Sequence, residues 1–484
     1  MATTQLQTLL KGRKLIVALN SQPYTHYKTH SGIRVKRGSG GAQHLLDYVM
    51  KKTGGTMIAL GSGNADKDVV NKENKIEVPV TKPLYTLKRL FIGKEEYDRY
   101  YNGFANQTLW PLCHLAFVKP SFERKWWLAY KKVNELFAQQ IIAEIKDDNT
   151  FVWVNDFHLA LVPKLLKDYN PNIKVGMFWH IPWPIRQIFS ICPWTKELLE
   201  GMLAADFIGF HRQSYAVNFI DIVTEELNIF IMPHDDTVYY KKHETKIGAL
   251  PAGIDFQEIH TYAESLTESE DKVKRELDID FEQLIVGVDR IDYTKGLMER
   301  ITILDNFFEK YPEFIGKLVH LLIGAPSREK VPTYKELTLE LIKAIDQLNW
   351  KYSEGSWNPI HFVHESVDPM TVYQYYNAAD VCMVTSLDDG MNLVAKEYPI
   401  CTREHKGALL LSKYTGASQE LPTAYQINPF NVTDAVEKLY AALTASTTEK
   451  QQRIAAMRKN LQLNDIDSWA RKFVEKTIRD KEGK

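Results

Sequence analysis

The chain has 484 residues, with 60 Lys and Arg against 61 Asp and Glu, so its formal net charge is -1. This balance excludes recruitment of nucleic acid or of an anionic membrane by overall charge. The length suffices for two or three domains of about 150 to 200 residues each. The four cysteines are far apart without a C-x-x-C pair, which predicts buried, reduced thiols in a cytoplasmic protein.

Short apolar runs alternate with longer amphipathic segments, which predicts α/β domains with parallel sheets between helices. The first run, 15–19, is too short for a signal sequence or a membrane span, so we interpret it as a strand. One series of predicted strands is 14–19, 56–60, 151–155, 174–180, 207–211 and 246–250. The second series is 284–288, 318–323, 360–364, 381–385, 408–412 and 425–428.

A hinge-like sequence, P-A-G-I-D at 251–255, separates the two series and precedes a charged, helix-like stretch at 265–276. We place a domain boundary there, between residues 252 and 253. Doubly wound sheets bind ligands at the carboxyl ends of their strands, so polar residues that follow a predicted strand are candidates for a site. The one basic, glycine-rich segment, 31–41, is predicted to be a flexible loop.

Polar residues follow two strands of the first series. Asp156 and His158 come after the run 151–155, and His180 ends the run 174–180. A histidine in such a place is more often a satisfied core residue than a catalyst, although the strand-end position favours the catalytic interpretation. Metal ligation is not indicated, because the chain has neither an H-E-x-x-H motif nor an aspartate-rich cage.

Two cations follow the first strand of the second series, in the sequence D-R-I-D-Y-T-K-G-L. Arg290 and Lys295 share one loop before a predicted helix, where a planar guanidinium and a compact ammonium could clamp a diphosphate. The alternative is a solvated loop in which these cations pair with Asp289 and Asp292.

An acidic turn separates a buried strand from a helix-like segment at 385–398, which reads T-S-L-D-D-G-M-N-L-V-A-K-E-Y. Backbone amides at the start of a helix attract anions, because these donors are unpaired and the peptide dipoles are aligned. Asp389 and Glu397 would remain to bind hydroxyl groups, so the segment suits a sugar nucleotide. The alternative is an acidic helix cap with Glu397 on a solvated face.

These motifs resemble those of the trehalose-6-phosphate synthases and their close relatives, which are retaining glucosyltransferases of the GT-B architecture. The resemblance extends through most of the chain in the family's order. Further motifs that carry it are Y-Y-N-G-F-A-N-Q-T-L-W-P at 100–111, V-N-D-F-H-L at 154–159, F-W-H-I-P-W-P at 178–184 and A-P-S-R at 325–328.

The resemblance implies two doubly wound, Rossmann-like domains that face each other across a cleft. Residues 1–252 would bind the acceptor and residues 253–467 the nucleotide sugar, with a helix in 468–484 that crosses back to the first domain. In the family the acceptor hydroxyl attacks the face that the diphosphate leaves, without an established enzymic nucleophile. Leaving-group stabilisation by cations and backbone amides then suffices, so neither a metal nor another cofactor is implied.

The resemblance also assigns roles to the candidate residues. Those expected to bind the donor are Gly40 and Gly41 in a closing loop, His180 and Asp389 at the glucose, Arg290, Lys295, Met391, Asn392 and Leu393 at the diphosphate, and Glu397 at the ribose. Those expected to bind the acceptor are Tyr101, Trp110, Asp156 and Arg328. The expected catalytic set is Asp156, His180, Arg290, Lys295 and Asp389.

The N-terminal part departs from the family pattern. An S-N-R motif, whose arginine helps to hold the acceptor phosphate, is replaced by N-S-Q-P-Y at 20–24, and M-I-A-L-G-S-G replaces a W-x-G-W-like segment. The P-Y step resembles the glucosylglycerol-phosphate synthases, which use glycerol 3-phosphate. Arg328 is retained, and Arg34, Lys36 or Arg37 could replace the lost charge.

The favoured function is transfer of glucose from a nucleotide sugar, UDP-glucose by default, to glucose 6-phosphate, which gives α,α-trehalose 6-phosphate. A three-carbon acceptor would leave part of the retained acceptor set unmatched. A second alternative is a catalytically silent, regulatory member of a trehalose synthase complex, which should have lost donor residues that this chain keeps. Expected partners are the two substrates, without nucleic acid or membrane, and self-association into a homo-oligomer is left open.

Overall fold

Strands and helices alternate along the chain, because apolar runs with buried side chains are separated by amphipathic segments. The structure is a computed structural model that describes residues 5–38, 40–229, 236–403 and 406–478. Contacts between Cα atoms divide the chain into two units, Met1–Ala252 with Asp467–Lys484 and Gly253–Ile466. Each unit has its own largely parallel sheet, so the predicted α/β class is confirmed.

The helices vary from single turns to more than five turns. Those before the second unit are α1 Gln5–Leu9, α2 Gly41–Thr53, α3 Lys94–Tyr97, α4 Trp110–Cys113, α5 Arg124–Ile142, α6 Val162–Tyr169, α7 Arg186–Phe189, α8 Thr195–Met202 and α9 Gln213–Glu226. The later ones are α10 Phe256–Ser265, α11 Ser269–Leu277, α12 Leu297–Lys310, α13 Pro332–Tyr352, α14 Pro369–Ala378, α15 Val394–Cys401, α16 Val432–Thr444, α17 Thr447–Leu463 and α18 Ile466–Ile478. Within the described residues, none is long and apolar enough to cross a membrane.

The strands of the first unit are β1 Lys14–Ser21, β2 Tyr24–Thr29, β3 Gly32–Arg37, β4 Thr56–Leu60, β5 Lys75–Val78, β6 Tyr85–Leu90, β7 Thr150–Asn155, β8 Lys174–Phe178, β9 Phe207–Phe210, β10 Thr237–Tyr240 and β11 His243–Ala249. One sheet has the order β10-β11-β9-β8-β7-β1-β4-β6-β5. It is parallel except at its edges, where β10 and β5 are antiparallel to their neighbours. The strand order reverses between β1 and β7.

The strands of the second unit are β12 Gln283–Arg290, β13 Leu318–Ala325, β14 Ile360–Val363, β15 Val381–Val384, β16 Ala408–Ser412 and β17 Tyr425–Ile427. They form a parallel sheet in the order β14-β13-β12-β15-β16-β17, which reverses between β12 and β15. Successive side chains point to opposite faces, so Leu284 and Val286 join one core and Ile285 joins the other.

Every predicted strand is found, with bounds shifted by a few residues. The predicted loop over 31–41 is wrong. Residues 32–37 form β3, which pairs antiparallel with β2, and Gly41 is the first residue of α2. The glycines at the ends of this segment suggested a loop, whereas Ile33 and Val35 alternate with cations as a two-stranded ribbon requires.

Aromatic side chains of α18 pack inside the first unit. The Phe473 ring stacks on Trp153 of β7 at 4.1 Å, and the Trp469 ring lies 5.2 Å from Trp153. Trp469 also meets Phe178 at the end of β8. Residues 467–478 therefore belong to the first unit. All four cysteines are buried and free, as predicted.

Candidate functional site

The end of β7 presents a strained aspartate at the point where the first sheet reverses its order. Asp156 has a φ of 73°, which is costly for a residue other than glycine and is often found at functional sites. Its N–H donates to the Phe178 carbonyl at 2.7 Å, and its Oδ1 accepts the His180 N–H at 3.1 Å. The fold thus brings Asp156 and His180 together, at the crevice where such sheets bind ligands.

The His180 ring is neutral at physiological pH, because burial lowers its pKa to about 3. Its Nε2 lies 3.2 Å from the Asn155 Oδ1, at the end of β7. The imidazole can therefore hydrogen-bond to a hydroxyl group, and it does not supply positive charge.

An unusual helix carries the predicted acceptor tyrosine. Residues Asp98–Leu109 form a π-helix. This form is rare in proteins, but where it occurs it is often at a functional site. The Tyr101 ring stacks on His158 at 5.7 Å and 9°, beside the end of β7. Trp110 is 7% exposed and packs against Phe157, so Tyr101 and Trp110 contact two adjacent residues that follow β7.

Gly40 and Gly41 lie at the start of α2, where a glutamine of the same helix fixes the backbone. The Gly40 N–H donates to the Gln43 Oε1 at 2.8 Å, and the Gln43 amide donates to the Gln22 carbonyl at 2.8 Å. The N-S-Q-P-Y segment is therefore tied to the two glycines.

A buried cation, which the sequence reasoning missed, holds the N-S-Q-P-Y segment. Arg89 of β6 donates to the Gln22 Oε1 at 2.7 Å and to the Tyr24 carbonyl at 3.0 Å, and it pairs with Asp66 at 3.2 Å. Arg89 is fully buried, so it stabilises this segment rather than reaching an acceptor. Of the three cations proposed as replacements, Arg37 pairs with Asp47 at 3.1 Å, and Arg34 and Lys36 lie exposed on β3.

In the second unit, a predicted cation meets a predicted carboxylate. The Lys295 Nζ lies 2.5 Å from the Asp389 Oδ2, and their side chains are 13% and 14% exposed. The Asn392 amide donates to the same oxygen at 3.1 Å. Lys295 therefore lies at the ends of β12 and β15, where it forms a direct ion pair with the acidic turn, while Asp289 and Asp292 of its own loop also feel its charge.

The loop that holds Arg290 is joined to Arg328 through a buried aspartate. The Arg328 Nη1 lies 2.7 Å from the Asp292 Oδ2, and Tyr334 contacts the same guanidinium. Burial alone would raise the pKa of Asp292, but Arg328 and Arg290 lower it to about 2. Asp292 is therefore ionised at physiological pH and gathers both cations near the end of β12.

The predicted diphosphate-binding backbone lies in the turn before α15. Met391, Asn392 and Leu393 directly precede the helix, and Asn392 has a φ of 80°. The Asn392 Oδ1 accepts the Ala395 N–H at 2.9 Å. Asn392, next to the N-cap residue Leu393, thus binds an amide of the first turn, and the Asp389 carboxylate binds Lys295 instead, so the interpretation of Asp389 as a plain helix cap is wrong.

Glu397 does not lie on a solvated face, contrary to the alternative interpretation. The side chain is half-buried with its carboxyl group beside Tyr376, and burial raises its pKa from the usual 4.5 to about 7. A carboxyl group with this pKa exchanges its proton near neutrality, and in a crevice it is a candidate for ligand binding.

A second buried arginine, also missed from sequence, links the two loops of this crevice. The Arg300 Nη2 lies 2.6 Å from the Asp289 Oδ2, and its Nε donates to the Thr385 hydroxyl at 3.0 Å. That hydroxyl lies 3.1 Å from the Lys295 carbonyl and 2.9 Å from the Gly296 carbonyl. Arg300 therefore fixes the Lys295 loop against the end of β15.

Metal binding has no evident site in the ranges that the structure describes. There, no group of three or more His, Cys, Asp and Glu side chains is arranged to hold a metal ion. Independence of metals and cofactors remains a prediction.

Two α/β units with largely parallel sheets and polar residues at their strand ends fit the GT-B class of glycosyltransferases, and a solved structure with a TM-score of 0.85 to this chain confirms the class that the sequence predicted. Residues 12–479 match the model of glycosyltransferase family 20. The chain therefore belongs to glycosyltransferase family 20.

Relatives resemble the chain over nearly its whole length. A trehalose-6-phosphate synthase of Mycolicibacterium vanbaalenii is 33% identical over 96% of this chain and 96% of its own. The solved structure of the Escherichia coli protein bound with UDP-2-fluoro glucose is 30% identical, with a TM-score of 0.85, over 96% of this chain and 99% of that one. A UDP-forming α,α-trehalose-phosphate synthase of Burkholderia xenovorans, in complex with glucose-6-phosphate, is 29% identical, with a TM-score of 0.83, over 94% of this chain and 98% of that one.

Replacing Arg300 by Met should destabilise the second unit, because Asp289 would remain buried without its cation. Removing one partner of a buried ion pair typically costs about 3 to 5 kcal/mol. Denaturant titration should show this loss, while the control Arg275→Met, at an exposed position of α11, should change little. The double variant Asp289→Leu with Arg300→Met should recover part of the loss. Equal stability of the Arg300→Met and control variants would contradict the assignment.

The raised pKa of Glu397 predicts that, without substrate, the free energy of unfolding decreases as this carboxyl group ionises. The folded state holds the Glu397 proton more tightly than the unfolded chain does, so the stabilisation by the protonated group is complete below about pH 4.5 and is lost as the pH rises through about 7. Glu397→Gln should therefore gain unfolding free energy over the parent across this window, by about 1.4 kcal/mol for each tenfold difference in proton affinity between the folded and unfolded states. Denaturant titration at several pH values measures the difference, with Glu340→Gln, at an exposed site, as the control. A difference that does not vary with pH would disprove the prediction.

Proposed function

We propose that the chain transfers glucose from UDP-glucose to glucose 6-phosphate with retention of the anomeric configuration, forming α,α-trehalose 6-phosphate. The contact between Lys295 and Asp389 carries the proposal, because it brings a cation and a hydroxyl-binding carboxylate to the ligand crevice of a family 20 chain. The bound ligands of the two solved relatives, a UDP-glucose analogue and glucose 6-phosphate, match the proposed substrates.

On the donor side, Arg290 and Lys295 would neutralise the charge that develops on the departing diphosphate. The backbone amides of Met391, Asn392 and Leu393 precede α15 and add aligned donors. Fixed cations and amides are effective catalysts because they need no reorganisation when the bond to the leaving group breaks.

Two carboxyl groups would hold the sugars of the donor. Asp389 would accept hydrogen bonds from the transferred glucose once the diphosphate shares Lys295, and the neutral His180 ring would bind another glucose hydroxyl. Glu397 would bind the ribose, and its pKa near 7 lets it accept from one hydroxyl and donate to another.

The first unit would contribute Tyr101, Trp110 and Asp156 to acceptor binding, and Gly40 and Gly41 to donor binding. Arg328 would bind the acceptor phosphate, and the exposed Arg34 or Lys36 would supply the charge of the absent first-strand arginine. This wall of aromatic and hydroxyl-binding groups favours a hexose phosphate over glycerol 3-phosphate. The intact donor set likewise favours an active enzyme over a silent subunit.

The domain roles follow from the same assignment. Residues 1–252 would form the acceptor domain, residues 253–467 the nucleotide-sugar domain, and 468–484 the segment that returns to the first, although residues 479–484 lie outside the described part. A cytoplasmic setting fits the four buried, free thiols.

Arg290→Ala and Lys295→Ala should each lower kcat about a hundredfold, because each removes a charge from the diphosphate as it leaves. Steady-state release of UDP measures the effect. Lys317→Ala is the matched control. Lys317 is exposed and directly precedes β13, at the edge of the sheet away from the crevice, so this variant should retain the parent rate. Parent-like rates in both crevice variants would remove these residues from the donor site.

A competition assay tests the proposed reaction itself. UDP-glucose is supplied with equal concentrations of glucose 6-phosphate and glycerol 3-phosphate, and the products are identified by mass spectrometry and NMR. We expect mainly α,α-trehalose 6-phosphate. If the product is mainly glucosylglycerol phosphate, the acceptor is glycerol 3-phosphate and not glucose 6-phosphate. The absence of turnover with UDP-, ADP- and GDP-glucose alike would support a catalytically silent subunit.

A further inference from the structure

The side chain of Gln43 connects two backbone segments of the first unit. Gln43 lies in the first turn of α2, and both polar atoms of its amide group are used. The Oε1 accepts the Gly40 N–H at 2.8 Å, and the Nε2 donates to the Gln22 carbonyl at 2.8 Å. We call this pair of hydrogen bonds the Gln43 clamp. It joins the start of α2 to the residue that directly follows β1.

The Gln22 end of the clamp is firmly anchored. The Gln22 side chain is 1% exposed, and its Oε1 accepts from the Arg89 Nε at 2.7 Å. Its Nε2 donates to the Asp66 Oδ2 at 2.5 Å, and the same carboxylate oxygen accepts the Ser62 and Gly63 N–H groups. Because buried charged groups fix the Gln22 side chain, the Gln22 carbonyl is a fixed acceptor for the Gln43 amide.

A glycine leaves the space that the clamp occupies. The Gly38 N–H donates to the Pro23 carbonyl at 2.9 Å, which holds Gly38 beside the end of β1. A Cβ at Gly38 would lie 2.5 Å from the Gln43 Oε1 and 2.9 Å from its Nε2. Any side chain at position 38 would therefore displace the amide group of Gln43 from both of its partners.

The clamp also fixes the direction of the backbone amides at the start of α2. The first N–H groups of a helix have no acceptor within the helix, and Gln43 binds the one that belongs to Gly40. The N–H groups of Gly41 and Ala42 come next along the same backbone. Such amides favour an anion. The clamp thus determines how these groups are presented before any substrate binds.

We propose that Gln43 is a positioning residue for the donor, because the clamp holds Gly40 and Gly41 in the arrangement that binds the nucleotide sugar. The inference rests on the proposed function, in which these two glycines contribute to donor binding. When a binding-competent arrangement is only partly populated, the apparent dissociation constant rises in proportion. Without the clamp, the donor would have to order this backbone itself, which lowers its affinity.

This role predicts a distinctive change in the kinetic constants. The clamp acts on the free enzyme, and the donor-bound state is the same whether or not the backbone was ordered beforehand. Loss of the clamp should therefore raise the KM for the donor and leave kcat unchanged. A residue that acts only in the transition state would instead lower kcat.

Gln43→Met removes both hydrogen bonds with little change in side-chain volume. Steady-state kinetics should show a KM for UDP-glucose raised about tenfold, as the loss of two hydrogen bonds would give. We expect kcat and the KM for glucose 6-phosphate to stay within about twofold of the parent values. The control Gln139→Met makes the same change at an exposed position of α5 and should leave all three constants unchanged. Circular dichroism confirms that each variant is folded.

Gly38→Ala tests the clamp from the opposite side. The added Cβ displaces the Gln43 amide, so this variant should raise the KM for UDP-glucose to a similar extent. The double variant G38A/Q43M should have no larger effect than either single variant, because both changes break the same contacts. Hydrogen exchange of the substrate-free chain, followed by mass spectrometry, should be faster around the Gly40 amide in both single variants than in the parent.

The outcomes separate this inference from the proposed function. If the parent turns over UDP-glucose but Gln43→Met leaves its KM unchanged, the positioning role is overturned and the proposed function stands. Additive effects of the two changes, or unchanged hydrogen exchange around Gly40, would also overturn the positioning role. A parent chain that turns over neither UDP-, ADP- nor GDP-glucose would contradict the proposed function, and the inference would fall with it.

Discussion

The buried guanidinium of Arg300 fixes the crevice of the second unit. A desolvated cation is tolerated there because Asp289 at the end of β12 neutralises it and the Thr385 hydroxyl accepts from it. Gly287 makes the arrangement possible, since a Cβ at that position would lie 2.3 Å from the Arg300 Nη1. The two strands between which the sheet order reverses are thereby joined through one side chain, and the loops that follow them have a fixed separation.

In the first unit, a different contact fixes the polar residues at the point where the strand order reverses. At the end of β7, Asp156 uses its carboxylate to bind the His180 N–H, and its positive φ turns the chain sharply out of the strand. Backbone strain is retained when surrounding contacts determine the conformation, and the Phe178 carbonyl supplies one of them. Both units thus hold polar residues at the reversal of their sheet by buried contacts that involve the backbone. Rigid placement of this kind is what a reaction that depends on alignment requires.

Strands buried on both faces could be predicted from the sequence because they are continuous apolar runs, such as A-L-L-L-S at β16. The strands in the edge region of the first sheet could not be predicted in this way. Its β6 reads Y-T-L-K-R-L, and Lys88 and Arg89 point inward against Glu144 and Asp66. Those carboxylates are distant in sequence, so no local pattern reveals that the two charges are neutralised. The π-helix is equally invisible, since its composition does not differ from that of an α-helix.

The same limit applies to the site. Strand-end positions indicated Lys295 and Asp389 as candidate site residues, but they did not indicate that the two residues pair, since they are 94 positions apart. This pairing bears on the chemistry. An ammonium already held by a carboxylate has lost much of its water, so binding of a diphosphate replaces one anion by another instead of requiring fresh desolvation. In the proposed reaction, the released Asp389 would then accept from the sugar that the diphosphate carries. The contact between Lys295 and Asp389 would thereby prepare both the cation for the leaving group and the carboxylate for the transferred glucose.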